Sequence, residues 1–278
     1  MQESNNIFYT KAYFGFIEDS EKAKVKVFNY SEGKKNAYFP YVLKDGVAVS
    51  LRYGGIYTNC TEMGFSEKVQ SCFKEYCETN NIWKIQIREN PFIQTIKIGA
   101  LAEREPFVFI DLTESEDKLM SAISRRHINC IQKATKQGLA LDMGNDLKYL
   151  DIFYRFYKDT LIQKGVVPQK FSYFTKLFLY LKDNLQLVCI RREEVLVAVS
   201  IILKSDGNAF MLYGGMSQEG YAKYAKYFMI VTLLSKYKKM GYERFVLGTG
   251  HKGMDAIYQF KRGFTDRDEY IQNYECRI

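Results

Sequence analysis

The sequence predicts an α/β chain of the α+β kind, in which mixed sheets are flanked by helices. Short apolar runs that alternate like strands recur along it, and amphipathic stretches of helical length separate them. A hairpin signal, Ser205-Asp206-Gly207-Asn208, joins two of these runs. Helices, a hairpin, a helix and a strand follow one another, an order typical of sheets covered by helices. The composition, 47% hydrophobic and 26% charged, is that of a globular chain.

The first part of the chain predicts several strands around one helix. The strands come from alternation or short apolar runs at residues 24–30, 37–42, 47–51, 83–88 and 107–112. The helix is predicted over 66–79, with Val69 and Phe73 on its apolar face and Ser66 as its N-cap. Before it, Arg52-Tyr53-Gly54-Gly55 pairs two glycines, which allow a tight turn or a close backbone approach.

The second part begins where the character of the sequence changes, near residue 113, so we divide the chain into two domains, 1–112 and 113–278. Thr113-Glu114-Ser115-Glu116 is typical of a helix start, and one helix is predicted from there to the stop signal Gly138. Its basic residues fit either a solvated surface or a face toward an anionic partner. Further helices are predicted at 147–164, 171–184 and 221–241, and strands at 186–191, 194–204, 209–213 and 244–247.

Charge and cysteine usage narrow the function classes. The net charge of +8 favours an anionic partner such as a nucleotide-linked substrate, RNA or an acidic membrane surface. There is no RNP-like motif or long basic tail, so RNA binding as the sole function is a weak hypothesis, and DNA binding is not expected. The six cysteines form no C-x-x-C pair and the chain has two histidines, so we expect no metal site. The N-terminus lacks an apolar signal region and no apolar run reaches membrane-spanning length, so a cytoplasmic location is expected.

One stretch near the end, 245–264, combines a short apolar strand, three glycines and a helical segment. A strand that leads through a glycine-rich loop into a helix is a common way to present backbone N–H groups to an anion. The alternative is a simple turn from strand to helix, in which Lys261 extends its ammonium from among aromatic residues to solvent.

Four motifs, taken in their order along the chain, resemble those of a known family. They are Ile131-Gln132-Lys133-Ala134 with the glycine and leucine that follow, Leu212-Tyr213-Gly214-Gly215, Tyr242-Glu243-Arg244-Phe245, and Phe260-Lys261-Arg262-Gly263-Phe264. Together they resemble the FemABX-like peptidoglycan-bridge aminoacyltransferases and their relatives in surface-polysaccharide pathways, best over residues 107–270.

This resemblance implies two tandem domains of the GNAT acyltransferase fold and transfer of an acyl group to an amine. It implies aminoacyl-tRNA or acyl-CoA as the donor co-substrate, with no tightly bound cofactor. The implied acceptor is a nucleotide-linked or lipid-linked glycan precursor of the cell envelope, with tRNA and peripheral contact with a membrane among the expected partners. A non-catalytic binding protein of the same fold, for tRNA or a nucleotide sugar, is the alternative function.

The resemblance also implies roles for individual residues. Lys261 matches the family lysine near the reacting acyl group, where a fixed positive charge can stabilise the oxyanion of a tetrahedral intermediate. Phe260 precedes it and is expected to help bind substrate. Tyr213 matches an aromatic residue near the same centre, which can hydrogen-bond the acyl carbonyl or carry a proton. No covalent nucleophile is required. His251 is either a base or a loop histidine without chemistry.

Other positions are expected to bind substrate. Gln169 and Tyr173 occupy the region where family members use an arginine and a tyrosine on precursor phosphate, and Lys170 can replace the arginine as a point charge. Weaker similarity extends to Arg52 and Tyr53, which we assign to substrate binding as well. The segment 218–222 lacks the full Q/R-x-x-G-x-G/A loop of acetyl-CoA users, which leaves the donor open between the two classes.

Overall fold

The computed structural model describes residues 6–144, 147–163 and 165–278. The chain forms two compact units. The first runs up to Glu105 and includes the returning segment Tyr270–Ile278, and the second covers Pro106–Glu269. The predicted domains, 1–112 and 113–278, stay a prediction, and their boundaries differ from those of the two units.

The helices and strands follow one another along the chain as α1 (Lys11–Glu21), β1 (Val25–Glu32), β2 (Lys35–Lys44), β3 (Val47–Ser50), β4 (Ile56–Thr58), α2 (Met63–Thr79), β5 (Lys84–Arg88), β6 (Thr95–Ile96), β7 (Ala100–Asp111), α3 (Glu116–Ser121), α4 (Arg125–Thr135), β8 (Leu139–Gly144), α5 (Leu150–Ile162), α6 (Phe171–Leu181), β9 (Leu185–Arg192), β10 (Val195–Ser205), β11 (Asn208–Met216), α7 (Gln218–Ala222), α8 (Ala225–Lys239), β12 (Arg244–Thr249), α9 (Ala256–Arg262) and β13 (Glu269–Arg277). Short 3-10 turns lie at Ile7–Tyr9, Leu147–Tyr149 and Lys182–Asn184.

The first unit is a mixed sheet with the strand order β6-β4-β2-β3-β5-β13, and β1 pairs with β2. Its only parallel ladder among the described strands joins β3 to β5, and α2 lies between them in the chain. The apolar face of α2 enters the core through Val69, Phe73 and Cys77, which pack with the buried strand residues Phe39 and Ile85. Burying this face supplies the main favourable free energy for this part of the fold.

The second unit repeats this arrangement with the strand order β7-β12-β11-β10-β9-β8. Here β11 and β12 are parallel, and α8 connects them. The hairpin between β10 and β11 turns at Asp206 and Gly207, whose φ angles of 45° and 72° are those of a type I′ turn. Strand β10 is buried over most of its length, from Leu196 to Leu203, because helices of this unit cover it.

Two long helices that the sequence predicts are each divided in the structure. The helix predicted from 113 to 137 is α3 and α4, because the Ser124 hydroxyl accepts the His127 N–H and starts a new helix. The helix predicted over 221–241 is α7 and α8, since Tyr224 adopts a left-handed φ of 59° between them. The N-cap predicted at Ser66 is wrong: α2 begins three residues earlier, at Met63.

Other elements agree with the prediction or were not foreseen. The strands predicted at 24–30, 37–42, 83–88 and 186–191 are all present, with ends shifted by one or two residues. The helix α1 and the strands β8 and β13 were not predicted, whereas the helical segment predicted within 245–264 is present as α9. The last residue of the helix predicted over 147–164 lies outside the described residues. No helix in the described part of the chain is long and apolar enough to cross a membrane.

Candidate functional site

The second unit has a split in its sheet between the parallel strands β11 and β12. Their ladder covers three residue pairs, from Asn208 with Arg244 to Phe210 with Val246. Beyond it, the pairing of β12 with β7 shifts in register before Gly248, whose φ is 79°, and β12 ends at Thr249. Strand β11 meanwhile continues to Met216 against β10. A split at the carboxyl ends of parallel strands is where open α/β sheets commonly bind ligands.

Strand β11 passes the split with two adjacent glycines, and both have close neighbours. A Cβ on Gly215 would lie 2.3 Å from the backbone carbon of Phe156, so only glycine lets α5 cross β11 at this distance. A Cβ on Gly214 would lie 2.4 Å from the Ser200 Oγ and 2.7 Å from the Lys226 Nζ. The Lys226 ammonium itself donates to Ser200 Oγ at 2.7 Å. Helices therefore approach the backbone of β11 closely at the level of the split.

Tyr213, one of the two predicted catalytic residues, lies in β11 just before these glycines. Its hydroxyl is 3.0 Å from the hydroxyl of Tyr173, and its ring packs edge-on against the rings of Tyr157 and Phe174. The Tyr157 hydroxyl accepts the backbone N–H of Gln169 at 3.1 Å. The structure thus brings two predicted site residues, Tyr213 and Tyr173, together in one aromatic cluster, to which the backbone of Gln169 is hydrogen-bonded. Burial raises the pKa of Tyr157, so its phenol stays protonated.

Lys261, the other predicted catalytic residue, lies in the last turn of α9. Its ammonium donates to the backbone oxygen of Thr249 at 2.7 Å, at the very end of β12. Lys261 is thus bound at the end of β12, and Tyr213 lies in β11, the strand from which β12 parts.

The glycine-rich loop between β12 and α9 is organised by the carboxylate of Asp255. This side chain accepts four backbone N–H groups, those of His251, Lys252, Ile257 and Tyr258, at 2.8 to 3.0 Å. Partial burial raises the pKa of Asp255, but these four donors outweigh that effect and hold the pKa below its ordinary value. The loop N–H groups at 251 and 252 are thus engaged within the protein, which disfavours the interpretation of this loop as an anion cradle.

The loop instead connects β12 to α9 along a tight path. Gly250 allows this tight path, because a Cβ there would lie 2.4 Å from the Gly253 oxygen and 2.7 Å from the Asp255 Oδ1. The side chain of His251 is exposed on the loop, and its role as a base stays a prediction.

The ring of Phe260 packs in an aromatic cluster between α4, α8 and α9. Its ring centroid lies 5.1 Å from Tyr227, 5.4 Å from Phe264 and 5.6 Å from His127. His127 is buried, and both of its ring nitrogens make hydrogen bonds, with Ser124 and with the Phe260 carbonyl. His127 was not among the predicted site residues. Its only sequence signal is its place three residues after a serine at a helix start.

Three predicted substrate-binding residues remain, Lys170, Arg52 and Tyr53. Lys170 is exposed at the start of α6. In the first unit, Tyr53 is 3% exposed and its ring lies 4.8 Å beneath the guanidinium of Arg88 and 5.1 Å from Phe8. Arg52 is exposed, and its carbonyl accepts from Arg88 at 3.1 Å. The burial of Tyr53 counts against direct contact of its ring with a substrate, and its assignment stays a prediction.

The segment between β11 and α8 is folded on itself. Ser217 caps α7 and accepts the N–H of Gly220 on its hydroxyl and that of Tyr221 on its carbonyl. The N–H groups of the next residues, Lys223 and Tyr224, donate to carbonyls of the same segment. The carboxylate of Glu219 pairs with Arg192 at 2.8 Å. A pyrophosphate at this helix entrance would meet four occupied donors and a carboxylate.

The comparisons with known proteins agree on the fold. A sequence profile of the acetyltransferase (GNAT) domain family matches residues 124–262, half of the chain. The crystal structure of FemX is similar with a TM-score of 0.72 at 12% identity, over 98% of this chain and 92% of FemX. The C-terminal domain of a protein assigned as a lysylphosphatidylglycerol synthetase, from Agrobacterium fabrum, has a TM-score of 0.60 at 14% identity, over 95% of this chain and 86% of that one.

A tandem GNAT protein from the clavulanic acid biosynthesis pathway is also similar, with a TM-score of 0.51 at 8% identity, over 91% of this chain and 83% of that protein. At these identities the likeness concerns the fold alone. It confirms the predicted fold class of tandem acyltransferase-like domains, with mixed sheets flanked by helices. A search among curated proteins gave no match.

Proposed function

The chain belongs to the acetyltransferase (GNAT) domain family, and from this premise we propose that it transfers an acyl or aminoacyl group to an amine of a nucleotide- or lipid-linked precursor of a cell-envelope glycan. The predicted enzyme class, an acyltransferase, is confirmed by this membership. The observation that carries the proposal is the position of the Lys261 ammonium. It is held by the Thr249 oxygen at the end of β12, on the opposite side of the split from Tyr213.

The proposed chemistry is direct attack of the acceptor amine on the acyl carbon. The nitrogen lone pair forms the new C–N bond, and the carbonyl electron pair moves to oxygen as an oxyanion. The Lys261 ammonium stabilises this negative charge, an effect for which a fixed cation in a partly desolvated site is well suited. When the intermediate collapses, the bond to the leaving oxygen or sulfur breaks, and the nitrogen loses one proton.

Tyr213 supports the proton transfer in this proposal. Its hydroxyl lies 3.0 Å from that of Tyr173, so two phenols form a short path along which a proton can move from the attacking nitrogen toward the leaving group or solvent. Tyr173 lies in the same aromatic cluster, and the Gln169 backbone is hydrogen-bonded to Tyr157 of that cluster; in this proposal the two residues form the wall on which the acceptor binds.

The donor is proposed to be an aminoacyl ester rather than acetyl-CoA. Four N–H groups in the segment before α8, those of Gly220, Tyr221, Lys223 and Tyr224, are engaged within the protein, which leaves fewer donors for the pyrophosphate of coenzyme A. The net charge of +8 fits a polyanionic donor such as tRNA. One similar structure is of a protein whose name describes attachment of a lysyl group to phosphatidylglycerol, which is also transfer of an aminoacyl group to an envelope component.

The test is a transfer assay with purified protein, nucleotide-linked amino-sugar or muropeptide acceptors, and two donor pools. One pool is charged total tRNA and the other is a set of acyl-CoA thioesters. We expect product with charged tRNA that disappears after RNase treatment. RNase-resistant turnover that requires acyl-CoA would reject the proposed donor but keep the proposed N-acyl transfer, and no turnover with either pool would count against the enzyme.

The variant Lys261→Ala tests the role of the ammonium. Loss of one preorganised oxyanion donor typically lowers kcat by about 10²- to 10³-fold, and we expect a loss of that order with little change in the melting temperature. Lys252→Ala, at an exposed residue of the preceding loop, is the matched control with wild-type activity expected. Lys261→Ala activity close to that of the wild type would refute the role.

A further inference from the structure

We propose that His127 is a positioning residue of this site: its imidazole fixes the last turn of α9 and thereby the place of the Lys261 ammonium. The inference rests on the proposed function for its catalytic consequence, but its structural part can be tested separately. His127 belongs to α4, far from Lys261 in the chain, and neither the family match nor the predicted site residues assign it a role.

The hydrogen bonds of His127 define a single state of the ring. Its Nε2 lies 2.8 Å from the backbone oxygen of Phe260, which can only accept, so Nε2 carries the proton. Its Nδ1 lies 3.0 Å from the Ser124 hydroxyl and accepts from it. Because burial lowers the pKa of His127, the neutral ring with this tautomer persists at neutral pH.

The Phe260 carbonyl is one of the groups that a helix end leaves without an intrahelical donor. In the last turn of α9, the N–H of Gly263 bonds to Gln259 and that of Phe264 to Lys261, so the imidazole supplies the donor for residue 260. A second bond follows from the same helix start: the Ser124 N–H donates to the Gly263 oxygen at 2.9 Å. The start of α4 therefore holds α9 on both sides of Lys261, at residues 260 and 263.

Close packing prevents the ring from moving. The His127 centroid lies 4.7 Å from Phe264 and 5.0 Å from Tyr227, both edge-on. A Cβ on Gly263 would lie 2.2 Å from the imidazole Cε1, so this position must be glycine. The Phe-Lys-Arg-Gly-Phe motif thus has a physical explanation: its glycine and second phenylalanine accommodate His127, and its lysine is held between the two clamped carbonyls.

The consequence for catalysis is geometric. The Lys261 ammonium reaches the Thr249 oxygen at 2.7 Å across a long flexible side chain, so its position depends on where its own backbone is held. Displacement of a catalytic group by about 1 Å can cost about 10²-fold in rate. Loosening the last turn of α9 is expected to lower kcat more than it changes KM, because substrate binding by the β11 side of the split is untouched.

The test compares His127→Phe, which keeps a ring but loses both hydrogen bonds, with His127→Gln, whose side-chain amide can still donate to the Phe260 oxygen. Asn129→Ala, at an exposed residue of the same helix, is the control. We expect His127→Phe to lower kcat at least tenfold with KM values within about twofold, His127→Gln to recover much of that loss, and the control to match the wild type.

A second readout does not depend on the reaction. Lys261 is partly buried and hydrogen-bonded, whereas Lys252 is exposed nearby. Under limited labelling with an amine-reactive reagent, followed by mass spectrometry, His127→Phe should raise the labelling rate of Lys261 several-fold relative to that of Lys252. Ser124→Ala removes the hydroxyl that bonds to His127 and should raise the labelling rate of Lys261 by a smaller factor. This variant replaces His127→Phe in the test if His127→Phe does not fold.

The outcomes separate the two ideas. Unchanged Lys261 labelling in the folded variants, or equal losses of kcat in His127→Phe and His127→Gln, would overturn the positioning role. Faster labelling of Lys261 together with unimpaired transfer would support the role of His127 in fixing the last turn of α9, but it would overturn the expected effect of His127 on kcat. A fully active Lys261→Ala enzyme would refute the proposed oxyanion role itself, whatever the labelling shows.

Discussion

The two units of this chain share one order of elements but differ at one point in the sheet. In each, three consecutive antiparallel strands precede a helix and a strand that lies parallel to the third of them, and a further strand pairs antiparallel with that parallel strand. In the second unit, the parallel strands part after three pairs. In the first unit, the parallel ladder Val47–Val49 is followed by a segment that keeps the sheet closed.

The closing segment of the first unit contains its own Tyr-Gly-Gly sequence. The N–H of Gly54 donates to the Arg88 oxygen at 2.8 Å, and the Gly54 oxygen accepts from Asn90 at 2.9 Å. The Ser50 hydroxyl accepts the Arg88 N–H at 2.9 Å. The ring of Tyr53 is buried behind this connection. The same three-residue motif therefore closes a sheet in one unit and borders an open split in the other, so the motif alone does not identify a site.

The largest expected effect comes from filling the space at Gly215. Gly215→Ala places a methyl group against the backbone of α5, a contact that backbone atoms cannot easily relieve, and should destabilise the second unit by about 3 kcal/mol or more. Gly144→Ala, in β8 of the same unit, meets no atom within 4 Å and is expected to change stability by less than about 0.5 kcal/mol.

Circular dichroism and tryptophan emission can separate the two units in this experiment. The single tryptophan of the chain, Trp83, lies in the first unit, so its emission reports the unfolding of that unit. Gly215→Ala should lower the main thermal transition by circular dichroism more than the transition seen by Trp83. Equal shifts by both probes would show that the units unfold together, and no shift would contradict the packing of α5 on β11.

A smaller effect is expected from the two tyrosines of the repeated motif. Tyr213→Phe removes the hydroxyl that faces Tyr173, and loss of a proton path of this kind should lower kcat by about 10²-fold at most. Tyr53→Phe changes a residue buried in the first unit and should leave kcat within about twofold, with any cost confined to about 1 kcal/mol of stability. A larger loss of kcat in Tyr53→Phe than in Tyr213→Phe would reverse the assignment of the site to the second unit.

Much of the fold could be predicted from the sequence because its strands carry clear apolar periodicity. The hairpin at Asp206-Gly207, strand β10 and the apolar face of α2 are read from local pattern. The breaks at Ser124 and Tyr224 could not be, since both interrupt helices whose composition continues across them. In each case a tertiary arrangement, rather than helix propensity, decides where the helix ends.

Residues of the candidate site were predicted only where they fall within a motif of the family. Lys261 and Tyr213 came from the family resemblance, and the structure places them on the two sides of one split. The ring of Phe260, which was predicted to bind substrate, packs with that of His127, and its contact with substrate stays a prediction. Such partners, distant in sequence and joined by a backbone carbonyl, leave no local trace: a carbonyl acceptor is present at every residue, so nothing in the motif marks which one is used.

The smallest expected effect concerns the pH dependence of stability. Burial, and then the nearby charge of Arg126, hold the pKa of His127 below its ordinary value of 6.5 although the Phe260 carbonyl opposes this. The unfolded chain then binds a proton more readily than the folded one, so stability rises with pH in this window. The stabilising contribution of neutral His127 is present above pH 6.5 and is lost as the pH falls toward the lowered pKa, with a slope of at most about 1.4 kcal/mol per pH unit.

Urea denaturation between pH 5 and 8 should show this slope in the wild type and a shallower one in His127→Phe, whereas equal slopes would mean that the ring titrates alike in the folded and unfolded states. Since Asp111 and Asp255, whose pKa values are lowered, are present in both proteins, their effects cancel in the difference, which isolates the ring that holds α9 in the second unit.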